Sequence, residues 1–314
     1  MPVIKTMQTV SVIMPCFNHA QFIRESADSI LGQTHADLEL VIVDDCSTDT
    51  SWEVISGVAA GDSRVRIIRH ERNQGLTQSR NDALAVARGE WIAFCDSDDV
   101  WETNKLTVQL GLLRDTPGYD AVYSDTTIID ENGCFTGRRF SELFPPPNPP
   151  SGWLFPDLVL RNFINIPSVL MRRKCFETVG PFDDDLKWIQ DWWYWLKLSR
   201  SHQWLYSSEP VARYRIHGGS TNLVHKRAYS ANRWKAFRRI LQDYGDLSAS
   251  AKADINYEMG IDLRKLGKHR WSRRFFWNSL KLSASHPCGM SRFCKASVRI
   301  ALSATPARER PAHL

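Results

Sequence analysis

Apolar positions in the first hundred residues follow two alternating rhythms. VSVIMP (Val10 to Pro15), LELVIVDD (Leu38 to Asp45), VRIIRH (Val65 to His70) and EWIAFCD (Glu90 to Asp96) are short apolar runs rich in branched side chains, as strands buried on both faces are. Between them, Phe22, Ile23, Ala27, Ile30 and Leu31 recur at helical spacing. Ser47, Thr48 and Asp49 are placed to cap a second helix, and Thr77 to Arg88 reads as a third. Strand alternating with helix predicts an α/β fold, a mostly parallel sheet with helices on both faces. AVYSDTTIID (Ala121 to Asp130) followed by ENG predicts a further strand and turn. FPPPNPPSG (Phe144 to Gly152) is a crossing loop, because proline fixes φ and lacks a donor. After His225 the pattern turns helical. Leu263, Leu266, Trp271, Phe275, Phe276, Leu280 and Leu282 lie on two segments broken by Gly267 and followed by His286 and Pro287, like one tetratricopeptide-type hairpin. Two domains are expected, residues 1–224 and a basic, mostly helical extension over 225–314.

In such a sheet ligands collect outside the carboxyl ends of the strands. Asp44 and Asp45 end the second run, and Asp96, Asp98 and Asp99 follow the fourth, so both acidic groups fall on one rim. Three carboxylates in four positions repel one another and call for a cation. The Cys and His residues show no zinc-like spacing. Oxygen ligands favour Mg²⁺ or Mn²⁺, whose remaining positions commonly go to water and substrate phosphates. The pattern therefore points to a diphosphate held on a metal. Alternatively, DSDD is a solvated turn capping the helix from Glu102, and DDCSTD a plain helix cap. A lone DxD favours that reading, whereas two acidic groups on one rim favour a site. No GxGxxG follows the first strand, and neither GxxxxGK[ST] nor GxSxG occurs, which argues against a dinucleotide dehydrogenase, a P-loop NTPase and a GxSxG hydrolase.

Composition adds a charge asymmetry. The 314 residues carry a net charge of +5, but from His225 onward 19 Lys/Arg face 6 Asp/Glu, leaving 21 against 29 before it. An acidic front and a basic rear imply different partners. Seven cysteines without CxxC pairs, and no basic-then-apolar leader, point to a reduced, cytoplasmic setting. No run of about 18 apolar residues predicts a membrane span; peripheral attachment at the inner face of a membrane stays open.

SVIMPCFNHAQFIRESADSILGQ, VIVDDCSTD, RNQGLTQSRNDALAVARGEWIAFCDSDD and IQDWWYWLKL occur in that order. Together they resemble the family 2 glycosyltransferases of bacterial surface-polysaccharide type, inverting enzymes of the GT-A fold, over roughly Val10 to Asn222. The resemblance implies that Asp44 and Asp45, with Asp45 foremost, contact the base and ribose of a nucleotide-diphosphate sugar. It implies that Pro15 through Asn18 line the nucleotide pocket and that Asn73, Gly75 and Arg80 lie by the donor. Arg80 either neutralises phosphate and neighbouring aspartates or forms a salt bridge bracing the rim. Asp98 is the implied metal ligand, with Asp96 nearer the ribose and Asp99 as a further candidate. The closing loop RYRIHGGSTN offers His217 to the metal or the diphosphate.

An inverting transfer needs one more carboxylate to take the acceptor's proton. The family places it in a Glu-Asp pair at a helix start. Here the pair is Gln190-Asp191, so Asp191 is the candidate base, and a helix cap is its other reading. Trp188 and Trp192 are candidate acceptor platforms, since aromatic faces bind sugar rings, although helical spacing also suits core packing. The basic rear, interleaved with Trp234, Phe237, Trp271, Phe275, Phe276 and Trp277, is a solvated face, an anionic membrane contact or, least favoured, a nucleic-acid surface. The expected function is metal-dependent transfer of a sugar to a sugar or lipid-linked acceptor. A metal-dependent nucleotidyltransferase and a non-enzymatic nucleic-acid or scaffold protein are the rivals.

Overall fold

The computed structural model describes residues 9–148, 150–219 and 226–284. It divides into two compact units, Met1–Ser220 and Thr221–Leu314. His286, Pro287 and the segment from Ser220 to His225, including Asn222, lie outside the described residues.

The apolar runs become strands because their branched side chains fill both sides of one sheet. β1 (Val10–Cys16), β2 (Leu38–Asp44), β3 (Val65–Arg69) and β4 (Trp91–Phe94) form its parallel half in the order β3-β2-β1-β4. Helices α1 (Ile23–Leu31), α2 (Ser51–Gly61), α3 (Leu76–Val86) and α4 (Lys105–Asp115) alternate with these strands. Val12, Met14, Leu40, Ile42 and Ala93 pack with Ile23, Ala27 and Ile30 of α1 and Ile55 and Val58 of α2 in one core. Right-handed crossovers of this kind leave every parallel strand ending on the same rim.

The second half is mixed. β6 (Ala121–Ile129) pairs in parallel with β9 (Trp204–Arg215) and antiparallel with β7 (Phe135–Arg139) and β8 (Leu170–Arg172). β8 joins the halves by pairing antiparallel with β4, and β5 (Val100–Trp101) closes the order against β9. The β6–β9 register shifts around Asp125 and Pro210, where a bulge removes the need for the amide hydrogen that proline lacks.

The second unit comprises, among the described residues, the helices Lys226–Asp243, Ala249–Lys265 and His269–Ala284. The last two form the expected hairpin, turning at Gly267 (φ 79°). Gly260 allows them to touch: a Cβ there would lie 2.5 Å from the buried Phe276 ring. No described helix is long and apolar enough to cross a membrane.

Candidate active site

Loops at the carboxyl ends of β1, β2 and β4 meet a loop from the mixed half. Pro15 is buried in β1 opposite Val43, past Ile13, where β1's pairing with β4 ends; its missing N–H therefore interrupts no ladder. Asn18 (φ 55°) ties the first loop to the second. Its N–H donates to Ser47 Oγ (3.0 Å), and its Oδ1 accepts from the Thr48 N–H (2.8 Å). Cys46 (φ 61°) and Trp188 (φ 73°) complete the set of non-glycine residues with positive φ among those described. Asn18 and Cys46 follow the carboxyl ends of β1 and β2, and Trp188 precedes the Gln190–Leu198 helix. Such backbone costs roughly 1–2 kcal/mol per residue and persists where its surroundings fix it.

The two strand-end aspartates differ. Asp45 accepts from the N–H groups of Gln74 (2.7 Å) and Gly75 (2.8 Å) and contacts His70 Nδ1 (2.7 Å). It thereby anchors the turn into α3, where Gly75 (φ 91°) caps the helix. Asn73 donates to the Asp45 carbonyl (3.3 Å). The buried Asp44 carboxylate has longer contacts, 3.4 Å to both Arg69 Nε and the Ser47 N–H.

The acidic turn after β4 proves to be three carboxylates with three separate partners. Asp96 is bound by Arg80 (2.7 and 3.0 Å). Asp98 accepts from His217 Nε2 (3.1 Å), whose Nδ1 accepts the Gly219 N–H (3.3 Å). Burial raises the Asp98 pKa, but the His217 hydrogen bond and the charges of His19 and His217 outweigh it, so the carboxyl lies below its ordinary value. Asp99 is turned into the protein, 1% exposed, and accepts the Arg215 N–H (2.9 Å). Burial first, then Asp98 and Asp96, push its pKa well up. That corrects the expectation for Asp99: it is a buried brace for β9, not part of the ligand group.

The group able to hold a metal is His19, Asp98 and His217, whose ligand atoms lie within 4.8 Å of one another. Asp96 is outside it, held by Arg80. Of the expected ligands Asp98 and His217 belong to this set, and His19 joins them, so that two imidazoles stand with one carboxylate. This set fits a first-row divalent ion better than Mg²⁺, which takes oxygen almost exclusively.

Asp191 starts the Gln190–Leu198 helix and accepts from Asn162 Nδ2 (2.9 Å). Burial raises its pKa; Arg80 opposes that shift and Asp96 adds to it. One guanidinium thus binds Asp96 and acts on Asp191 through its charge. Asn81 exchanges hydrogen bonds with the backbone of Phe182 (3.0 and 2.9 Å), fastening the approach to Asp191 onto α3. Trp188 is half-buried beside this helix. Trp192 departs from expectation. It is 2% exposed, and its indole N–H donates to the Leu158 carbonyl (2.6 Å), so it offers no ring face to an acceptor.

Sequence reasoning missed His19, Asn81, Asn162 and Arg215. Arg215 donates to the Asp98 carbonyl (2.8 Å) and to Glu25 (2.7 Å). A period-two signal was present in RYRIH: Arg213, Arg215 and His217 alternate, and each meets an acid, Arg213 reaching Glu102 (2.8 Å). Asn162 lies in a loop whose sequence carries no such pattern.

The same architecture recurs in solved structures. Residues 1–349 of S. aureus TarS in complex with UDP-GlcNAc superpose with a TM-score of 0.67 at 18% identity, covering 94% of this chain and 89% of that one. The mannosyltransferase PcManGT of Pyrobaculum calidifontis, in complex with GDP-Man and Mn²⁺, gives 0.59 at 17% identity over 93% of this chain and 80% of that one. The fold class is GT-A, that of nucleotide-sugar-dependent glycosyltransferases. Glycosyl transferase family 2 matches residues 11–176. A putative teichuronic acid biosynthesis glycosyltransferase of Bacillus subtilis (strain 168), TuaG, is 30% identical over 246 residues, 76% of this chain and 88% of the relative. The E. coli UDP-Glc:alpha-D-GlcNAc-diphosphoundecaprenol beta-1,3-glucosyltransferase WfgD is 28% identical over 263 residues, 83% of this chain and 94% of the relative. The chain belongs to glycosyl transferase family 2 and is a glycosyltransferase.

Proposed function

We propose that the protein is a metal-dependent, inverting glycosyltransferase that moves a sugar from a nucleotide-diphosphate donor to a hydroxyl of a lipid-linked saccharide, in surface-polysaccharide assembly. The observation that carries this reading is convergence: His19, Asp98 and His217 come from three chain segments into one ligand group, while Arg80, bound to the neighbouring Asp96, also acts on Asp191. Asp44 and Asp45, with Pro15, Asn18, Asn73 and Gly75, frame the nucleotide end. Arg80 and Asp96 lie towards the diphosphate and ribose. His19, Asp98 and His217 would hold Mn²⁺, which when bound supplies charge that stabilises a departing diphosphate. Asp191 takes the acceptor's proton as its oxygen attacks, and Trp188, half-buried beside that helix, is the residue against which a sugar ring rests. The names of TuaG and WfgD support the polysaccharide setting and the lipid-linked acceptor.

The test is product analysis with a panel of nucleotide sugars and a diphosphoprenyl-linked saccharide, with Mn²⁺ and with chelator. Nucleoside diphosphate released with Mn²⁺, and lost with chelator or in Asp98→Ala, is expected. Pyrophosphate release would point instead to nucleotidyl transfer, and full turnover in chelator would remove the metal.

A further inference from the structure

The helix His269–Ala284 buries serines while it exposes tryptophans. Ser272, Phe276, Ser279, Leu280 and Ser283 face the interior, three of the five being serines. Trp271 and Trp277 face water, each 54% exposed. Arg270, Arg273, Arg274 and Lys281 are exposed with them, and the helix carries no acidic residue. At about 100° per residue these six side chains share an arc of roughly 160°. The Arg274 guanidinium lies 5.7 Å over the Trp271 ring, so cation and indole share one surface.

Water is a poor environment for two indoles, and a helix evolved only to pack in its bundle would turn them inward. The core of a protein–protein contact is depleted of charge, which disfavours four cations among the tryptophans. A bilayer surface suits both features. Indole rings settle at the level of the headgroups, and Lys and Arg are drawn to anionic lipid. A helix with aromatic residues set among cations and no acids lies flat in that interface. We propose that the Trp271–Trp277 face of this helix docks the protein on an anionic lipid bilayer. The placement of these side chains carries the proposal; it does not depend on the acceptor proposed above.

The experiment is co-sedimentation of the full chain with phosphatidylcholine vesicles, alone or containing about a third phosphatidylglycerol, at low and raised salt. Two variants are compared, W271A/W277A and R273Q/R274Q, with circular dichroism and melting as controls; exposed positions should leave the fold intact. Wild type should bind the anionic vesicles and release them in salt. R273Q/R274Q should bind roughly 25-fold more weakly, about fivefold for each cation removed, and W271A/W277A roughly tenfold or more. Both should release nucleoside diphosphate with a water-soluble acceptor at the wild-type rate. No binding to anionic vesicles, or equal binding by wild type and both variants, would overturn the proposal. So would a short single-stranded oligonucleotide that displaces the protein from vesicles and is itself bound through the same tryptophans, which would make this a nucleic-acid face.

Discussion

Arg80 binds Asp96 and acts on Asp191 through its charge, and Asp191 shows what that does. Burial lifts the Asp191 pKa, and Arg80 and the Trp192 N–H hold it down. The acid limb of kcat should therefore lie above the range of an ordinary aspartate, with turnover rising as pH rises and the base ionises. Asn162 donates to the ionised form. Asn162→Ala removes that bond and should move the limb further up, read from a kcat–pH profile. Asp191→Asn should lower kcat by about 10²–10⁴ while donor affinity by calorimetry stays unchanged. Its stability should move the other way. A folded pKa above the unfolded one means that charge on Asp191 destabilises the fold as pH rises through both, so the Asn variant should melt higher at neutral pH. At this scale the acids were legible because like charges in four positions need a reason. Their partners were not. His19 and Arg215 meet Asp98 through distant parts of the chain, a proximity that only the fold creates.

Lys105 opens α4 fully buried, its ammonium over the Trp101 ring at 4.7 Å and bonded to Gln109. Burial lowers its pKa to about 7. The unfolded chain thus holds a proton that the native state has lost between about pH 7 and its ordinary 10.5, and stability from this group rises with pH across that window. The difference in unfolding free energy between wild type and Lys105→Met should change by up to about 1.4 kcal/mol per pH unit there, in favour of wild type as pH rises. Urea titrations at several pH values measure it. Elements of this kind were readable where periodicity was strong: β1 to β4 and helices α1 to α3 stand within a residue or two of the patterns that predict them. β8, three residues long, and β9, broken by Pro210 and polar in its middle, carry too little pattern. Trp192 was misread because helical spacing cannot say which face of the Gln190–Leu198 helix is covered.

Every candidate site residue lies in the unit ending at Ser220, while the cationic helix lies in the other. A lesion confined to the helical unit should leave donor binding alone. Gly260→Ala drives a methyl into the buried Phe276 ring and should cost about 1–3 kcal/mol of that unit's stability, with donor affinity by calorimetry unchanged. The sequence changes rhythm and charge after His225, and the compact units part after Ser220; the docking of the helices leaves no such mark, since a glycine in a helix announces no neighbour.

Asn18 and Cys46 hold their left-handed backbone in the two hydrogen-bonded loops that follow β1 and β2. Such loops stay taut only while their anchors last, and anchors at a rim meet water before a strand at the centre does. Warming should slacken the loops while the sheet still stands. Catalysis would then fade several degrees before the chain melts, and amide hydrogens in those loops would exchange ahead of those in β1.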